Sequence, residues 1–197
     1  MYASKLVLNS NGWISPTGLA SDGVNVNNGS FYGFEEWLNS PIFRELKIGY
    51  IDSFRTNRST ITYDRIALFT YLKGNKNVYY VGNLYGVKQI TYKELLNIRG
   101  LLNKRNWIVE RKTELDKIFH NSNAFDLYNR CYNSNIITGA TQTTFVCNLK
   151  YDRFELFEMK KWVNLTQINP DINSCWRRLK ILYNVYSGEE FMFESQK

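Results

Sequence analysis

The sequence predicts an α+β fold built around a closed or barrel-like sheet. Three observations carry this. Two runs rich in β-branched and aromatic residues are joined across Gly74-Asn75, a capped helical stretch follows them, and strand-like signals return towards the C-terminal end. The chain has 197 residues, 44% hydrophobic and 16% aromatic, enough to bury one substantial core. There is no internal repeat, low-complexity tract or long Gly/Ser/Pro linker, so one unit is expected, with a core at 1–90 and helical and β additions at 91–197.

Lys5–Leu8 reads as a short strand leading into turns at Asn9–Gly12. Ser15–Ser30 is loop: Pro16, Gly18, Gly23 and Gly29 interrupt any periodicity. Glu35–Leu38 forms a helical turn that ends before Pro41. Leu46–Arg55 and Tyr63–Leu72 have the composition of strands, and the second pairs with Val78–Leu84 as an antiparallel hairpin. Their long apolar runs imply strands covered on both faces.

Thr91-Tyr92-Lys93-Glu94 has capping-box spacing and opens a helical stretch reaching about Phe119. Gly100 and the polar Asn103–Asn106 are the points where it would split in two. Strand signals resume at Thr143–Cys147, Tyr151–Glu158 and Ile181–Tyr186, with a short helix opened by Pro170 over Asp171–Leu179.

The chain carries 25 Lys and Arg against 18 Asp and Glu, a net charge of +7. The excess is local: Ile42–Lys112 holds 14 basic and 5 acidic residues, net +9, and the remainder is net −2. Such a segment suits a polyanion, because each phosphate contact releases condensed counterions. A basic surface that simply faces solvent would look the same.

Cys131, Cys147 and Cys175 lack metal-ligand spacing and read as reduced thiols. No apolar run reaches the roughly 18–20 residues of a membrane span. With no secretory leader pattern, a cytoplasmic protein without membrane contact is expected.

Phosphate-loop and dinucleotide fingerprints are absent, and no cofactor or metal is expected. A single histidine, His120, starves histidine-based metal and triad chemistry. The remaining enzymatic reading is a Mg²⁺-dependent nuclease set. Glu158-Met159-Lys160 would supply an acidic-x-Lys half and Asp152 or Glu155 the other carboxylate. Both carboxylates would then share one strand, so the expectation is a chain that is not an enzyme in its own right.

The distinctive residues lie earlier. Gly12-Trp13-Ile14-Ser15-Pro16-Thr17-Gly18 is followed by Phe31-Tyr32-Gly33-Phe34-Glu35-Glu36-Trp37-Leu38. Rings held in Gly- and Pro-framed loops can stack an unpaired base, at about 1–3 kcal/mol each; they can equally plug one end of a barrel. Glu35 and Glu36 can accept from a base edge or pair with Arg44 and Arg55.

This pair of motifs resembles the N-terminal DNA-reading domains of modification-dependent restriction endonucleases, in the PUA superfamily with the EVE, YTH and SRA modules. Tyr79-Tyr80-Val81-Gly82 is similar to the Tyr-x-x-Gly passage of EVE-like barrels. The likeness covers roughly residues 8–90. Phe31-Tyr32-Gly33-Phe34 departs from it where the related motif has Gly-Phe-Gly-His.

The resemblance implies a PUA-like small β-barrel with flanking helices plus an additional α/β segment. It further implies recognition of double-stranded DNA carrying a modified cytosine or adenine (5-methylcytosine for example), flipped into an aromatic pocket. Trp13, Tyr32, Trp37 and Phe54 are the candidate walls, and Asp52 or Glu36 the contact to the base edge. Arg44, Lys47, Arg55, Arg58, Lys73 and Lys76 are the candidate phosphate contacts. A nuclease or effector, fused or separate, is the implied partner. An RNA-binding module of the same superfamily would use the same rings and arginines.

Overall fold

A computed structural model describes residues 2–15, 17, 34–51, 62–72, 77–118, 147–168 and 183–184. Among these, mixed α and β elements surround one large sheet, in keeping with α+β. The sheet is organised by a hairpin of β3 (Thr62–Leu72) and β4 (Asn77–Gln89), paired antiparallel as the sequence leads one to expect. Its turn residues lie outside the described set. A bulge between Leu68 and Phe69 leaves Val81 as the extra residue of β4, and the local twist rises there.

β1 (Tyr2–Leu6) lies parallel to β3, and β8 (Tyr183–Asn184) lies antiparallel to β1. The other edge of β4 is shared by three short strands in succession. These are β7 (Val163–Asn164), β6 (Arg153–Leu156) and β5 (Leu149–Lys150), the last also pairing β2 (Ile48–Gly49). The main path runs β2-β5-β4-β3-β1-β8 and has two ends. It is thus an open sheet among the described residues, where a closed or barrel-like one was expected.

β5 and β6 keep one register on β4 across a break at Tyr151-Asp152. There the Tyr151 amide turns aside to the Lys47 carbonyl. Opposite the break, Gly86 has φ +60, and the Asp152 carboxylate occupies the space a Cβ would need.

The strand expected at Leu46–Arg55 shrinks to Ile48–Gly49 within the described part. Pro41, read as a stop, instead sits at the start of helix α1 (Pro41–Leu46), where a missing N–H costs nothing. Lys47 then ends that helix in the left-handed conformation, φ 52. The turn at Phe34–Trp37 is a 3-10 helix. The capping box forms as read: Thr91 Oγ1 accepts the Glu94 amide at 3.3 Å, and Glu94 Oε2 accepts the Thr91 amide at 2.9 Å. Helix α2 (Tyr92–Lys104) gives way to α3 (Trp107–Ile118) at Asn106, φ 55, rather than at Gly100. A single helical turn, α4 (Leu165–Ile168), follows β7. The helix expected at 171–179 lies outside the described residues, as do residues 143–146.

Three buried clusters hold these elements. The first, on one face of the sheet, gathers Trp13, Ile66, Leu68, Leu84, Val87, Leu149 and Phe154. A second joins Trp37, Phe43, Tyr50, Leu95, Leu102 and Trp107 beneath α2 and α3. The third, with Ala3, Ala67, Phe69, Val78 and Tyr80, covers the opposite sheet face at one end only. Beyond that end, this second face becomes polar.

Candidate nucleic-acid interface

Two of the proposed pocket walls are core residues. Trp13 is fully buried in the first cluster, and its indole N–H donates to the Val7 carbonyl at 3.0 Å. Its own backbone is left-handed, φ 59, a strained state for a bulky residue. Asn9 holds it there: Asn9 Oδ1 accepts the Trp13 amide at 2.8 Å, while Asn9 Nδ2 donates to the Ser15 carbonyl. Trp37, 1% exposed, donates its indole N–H to Glu114 Oε2 at 2.7 Å. The Arg111 guanidinium lies 5.9 Å from the Trp37 ring and 5.6 Å from that of Trp107, and pairs with Glu114 at 2.8 Å. Neither indole offers an open stacking face. The structural alternative, that these rings plug the interior, is the one the packing supports.

Glu35 is buried and accepts the Val7 amide on Oε2, so it is not open to a base edge. Of Glu36 only the backbone is described, within the 3-10 turn. Arg44 donates to the Phe154 carbonyl at 3.0 Å and lies 4.8 Å from the Phe154 ring. It clamps α1 to β6. Lys47 is exposed at the end of α1 and open to an anion. Tyr32, Asp52, Phe54, Arg55, Arg58, Lys73 and Lys76 lie outside the described residues, as does His120.

The nuclease set does not assemble as read. Asp152 lies over Gly86, whereas Glu158 pairs with its near neighbour Lys160 at 2.9 Å on the exposed turn after β6. No group of three metal-ligating side chains occurs among the described residues. Cys147 is buried, and burial pushes its thiol up to about 12, which leaves it without nucleophilic character.

What the strands do bring together is a polar surface that sequence reasoning missed. Ile66, Leu84, Val87, Leu149, Tyr151 and Phe154 all point into the first core. Alternation therefore turns Arg65, Asn83, Tyr85, Lys88, Lys150, Arg153 and Glu155 to the other face. Arg65 Nε donates to Asn83 Oδ1 at 2.9 Å, and its Nη2 donates to the Tyr80 hydroxyl at 3.0 Å. Tyr80 donates to the same Asn83 oxygen at 2.7 Å. Asn83 Nδ2 and the Tyr85 hydroxyl both donate to Glu155 Oε2, at 2.9 and 3.0 Å. The Arg153 guanidinium lies 3.9 Å from the Tyr85 ring centroid.

Burial acts to raise the Glu155 pKa, but the Asn83 and Tyr85 hydrogen bonds and the charges of Arg153 and Arg65 hold it below the usual carboxylate value. Tyr85 is raised, first by burial and then by its bond to Glu155. Lys88 is exposed without a partner among the described residues, opposite Lys150, which pairs with Glu94. The Arg153 guanidinium thus lies against the Tyr85 ring, and the charges of Arg65 and Glu155 act on its hydroxyl.

The sequence signal for this surface is weak but present: polar residues two apart in Asn83–Tyr85 and Arg153–Glu155, inside otherwise apolar runs. No helix among the described residues is long and apolar enough to cross a membrane. Comparison with family models, curated proteins and solved structures finds no match to this chain.

Proposed function

We propose that this chain is a nucleic-acid-binding specificity module that takes duplex DNA carrying a modified base. The observation that supports it best is the polar sheet face, where Arg153 lies against the Tyr85 ring and Arg65, Lys88 and Lys150 stand on the same side of the sheet. Arg153 and Lys88 stay exposed to meet phosphates, and Tyr85 with its stacked guanidinium offers a flat platform to an extruded base. The fixed Arg65-Asn83-Glu155 network needs little reordering on binding.

The finer elements of this reading rest on the sequence resemblance of residues 8–90: a PUA-like barrel, a base flipped into a pocket, and a nuclease or effector partner. In this proposal Trp13 and Trp37 shape the scaffold rather than the pocket. A flipped base loses pairing and stacking worth a few kcal/mol, which ring contact and hydrogen bonds together must return.

A binding panel tests the proposal. Matched duplexes carrying cytosine, 5-methylcytosine, 5-hydroxymethylcytosine or N6-methyladenine are titrated at two salt concentrations. Tighter binding of one modified duplex, weakening as salt rises, is expected. Equal affinity for all four contradicts modified-base reading, and salt-independent or absent binding contradicts the nucleic-acid reading itself. Competition with single-stranded RNA separates the RNA-binding version.

A further inference from the structure

We infer that Glu155 is a specificity-determining residue, whose free carboxylate oxygen accepts a hydrogen bond from the exocyclic amino group of an unpaired base. The inference rests on the nucleic-acid reading above and names the base chemistry that this surface selects.

Three features of Glu155 carry it. Only Oε2 is used within the protein, by Asn83 Nδ2 and the Tyr85 hydroxyl; Oε1 has no hydrogen-bond partner among the described residues. The residue is exposed, on the face of the sheet that carries Tyr85 and Arg153. The carboxylate is also aimed rather than loose. Asn83, 2% exposed, is itself fixed through Oδ1 by Arg65 and Tyr80, so the group that orients Glu155 cannot turn without breaking that network.

A carboxylate in this setting is acceptor-only. It favours cytosine, adenine or guanine, each of which offers an amino N–H, and it repels the carbonyl oxygens that flank the only N–H of thymine. Methylation at cytosine C5 leaves that amino group untouched, and N6-methyladenine keeps one N–H. The same group therefore serves modified and unmodified forms alike. The neighbouring guanidiniums of Arg65 and Arg153 offset the repulsion between this carboxylate and the incoming phosphates. Tyr85 has two parts in this arrangement, a ring for stacking and a hydroxyl that positions Glu155.

The test uses the full chain and two labelled single-stranded homopolymers of equal length, oligodeoxycytidine and oligothymidine, whose rings match in size. The wild type should bind the cytidine strand about tenfold more tightly. Glu155→Gln should abolish most of that preference and leave thymidine affinity equal or higher, because a negative charge has left a phosphate-facing surface. Tyr85→Phe keeps the ring and frees Oε2 of one donor, so it should weaken the preference by a few-fold. Equal, salt-sensitive binding of both strands by the wild type would overturn the role of Glu155 alone and leave the nucleic-acid reading standing. A preference that survives intact in a folded Glu155→Gln variant overturns the role as well. Failure to bind either strand at low salt would overturn both.

Discussion

The two faces of β3, β4 and β6 are made by alternate residues of the same strands, yet they do opposite things. One face sends Ile66, Leu84 and Phe154 against Trp13 and excludes water. The other joins buried Asn83 by hydrogen bonds to Arg65 and Glu155, with Tyr85, Arg153 and Glu155 towards solvent. The difference teaches that residues conspicuous in the sequence need not be the ones that reach the surface. Trp13 and Trp37 of the two aromatic motifs are taken up in packing, whereas the candidate interface is assembled from polar residues scattered through apolar strands.

The strongest way to break this contrast is to attack the buried face. Trp13→Ala should cost about 3–5 kcal/mol in chemical denaturation, since a fully buried ring and its bond to Val7 are lost. Where the variant remains folded, its salt-dependent nucleic-acid affinity should be unchanged. A stable Trp13→Ala variant with lost binding would reverse the assignment of the two faces.

Next in size is Gly82, on which both faces depend. A Cβ there would run into the Glu155 carbonyl and come within 3.1 Å of the Leu156 Cα, so β6 must move. Gly82→Ala should cost about 1–3 kcal/mol and impair binding as well. Gly86→Ala should cost less, about 1 kcal/mol. Its left-handed φ is one obstacle and the Asp152 Cβ, 3.0 Å away, the other, since only the carboxylate can rotate aside.

Much of the framework was legible in the sequence. The β3–β4 hairpin follows from two apolar runs around a turn, and the α2 start from a local four-residue pattern. Helix α1 was not, because proline both ends and begins helices and the local sequence does not decide which. Of the strand expected at 46–55, residues 46–51 are described, and there it is confined to Ile48–Gly49. Ile48–Gly49 is extended only where β5 lies beside it, and that partner is about a hundred residues away. The site was the least legible part. Asn83 and Glu155 meet through a register between residues 72 apart, which no local spacing encodes. The glycines and prolines that neighbour Trp13 and Trp37 shape turns without saying which way a ring points.

The smallest effect sharpens the edge of the polar face. Hydrogen bonding from Lys150, then from the Thr91 amide and hydroxyl, brings the Glu94 pKa down to about 2. A carboxylate with a depressed folded-state pKa adds stability above its unfolded value, near 4.5, and loses it as pH falls towards 2. The pair is partly solvent-exposed, so the contribution should stay below about 1 kcal/mol. Glu94→Gln should flatten the acid limb of a stability–pH profile between those values, and an unaltered limb would show that the pair adds nothing.

The most direct test of the central claim is oligonucleotide titration of the Lys88→Ala/Arg153→Ala double variant beside Lys117→Ala, a charge removed from the exposed end of α3. Removing two phosphate contacts should lower affinity at least tenfold and reduce the salt slope by about 2, while Lys117→Ala leaves both near wild type. Equal losses in the two variants, or no loss in the first, would contradict the assignment of nucleic-acid binding to the polar face of the sheet.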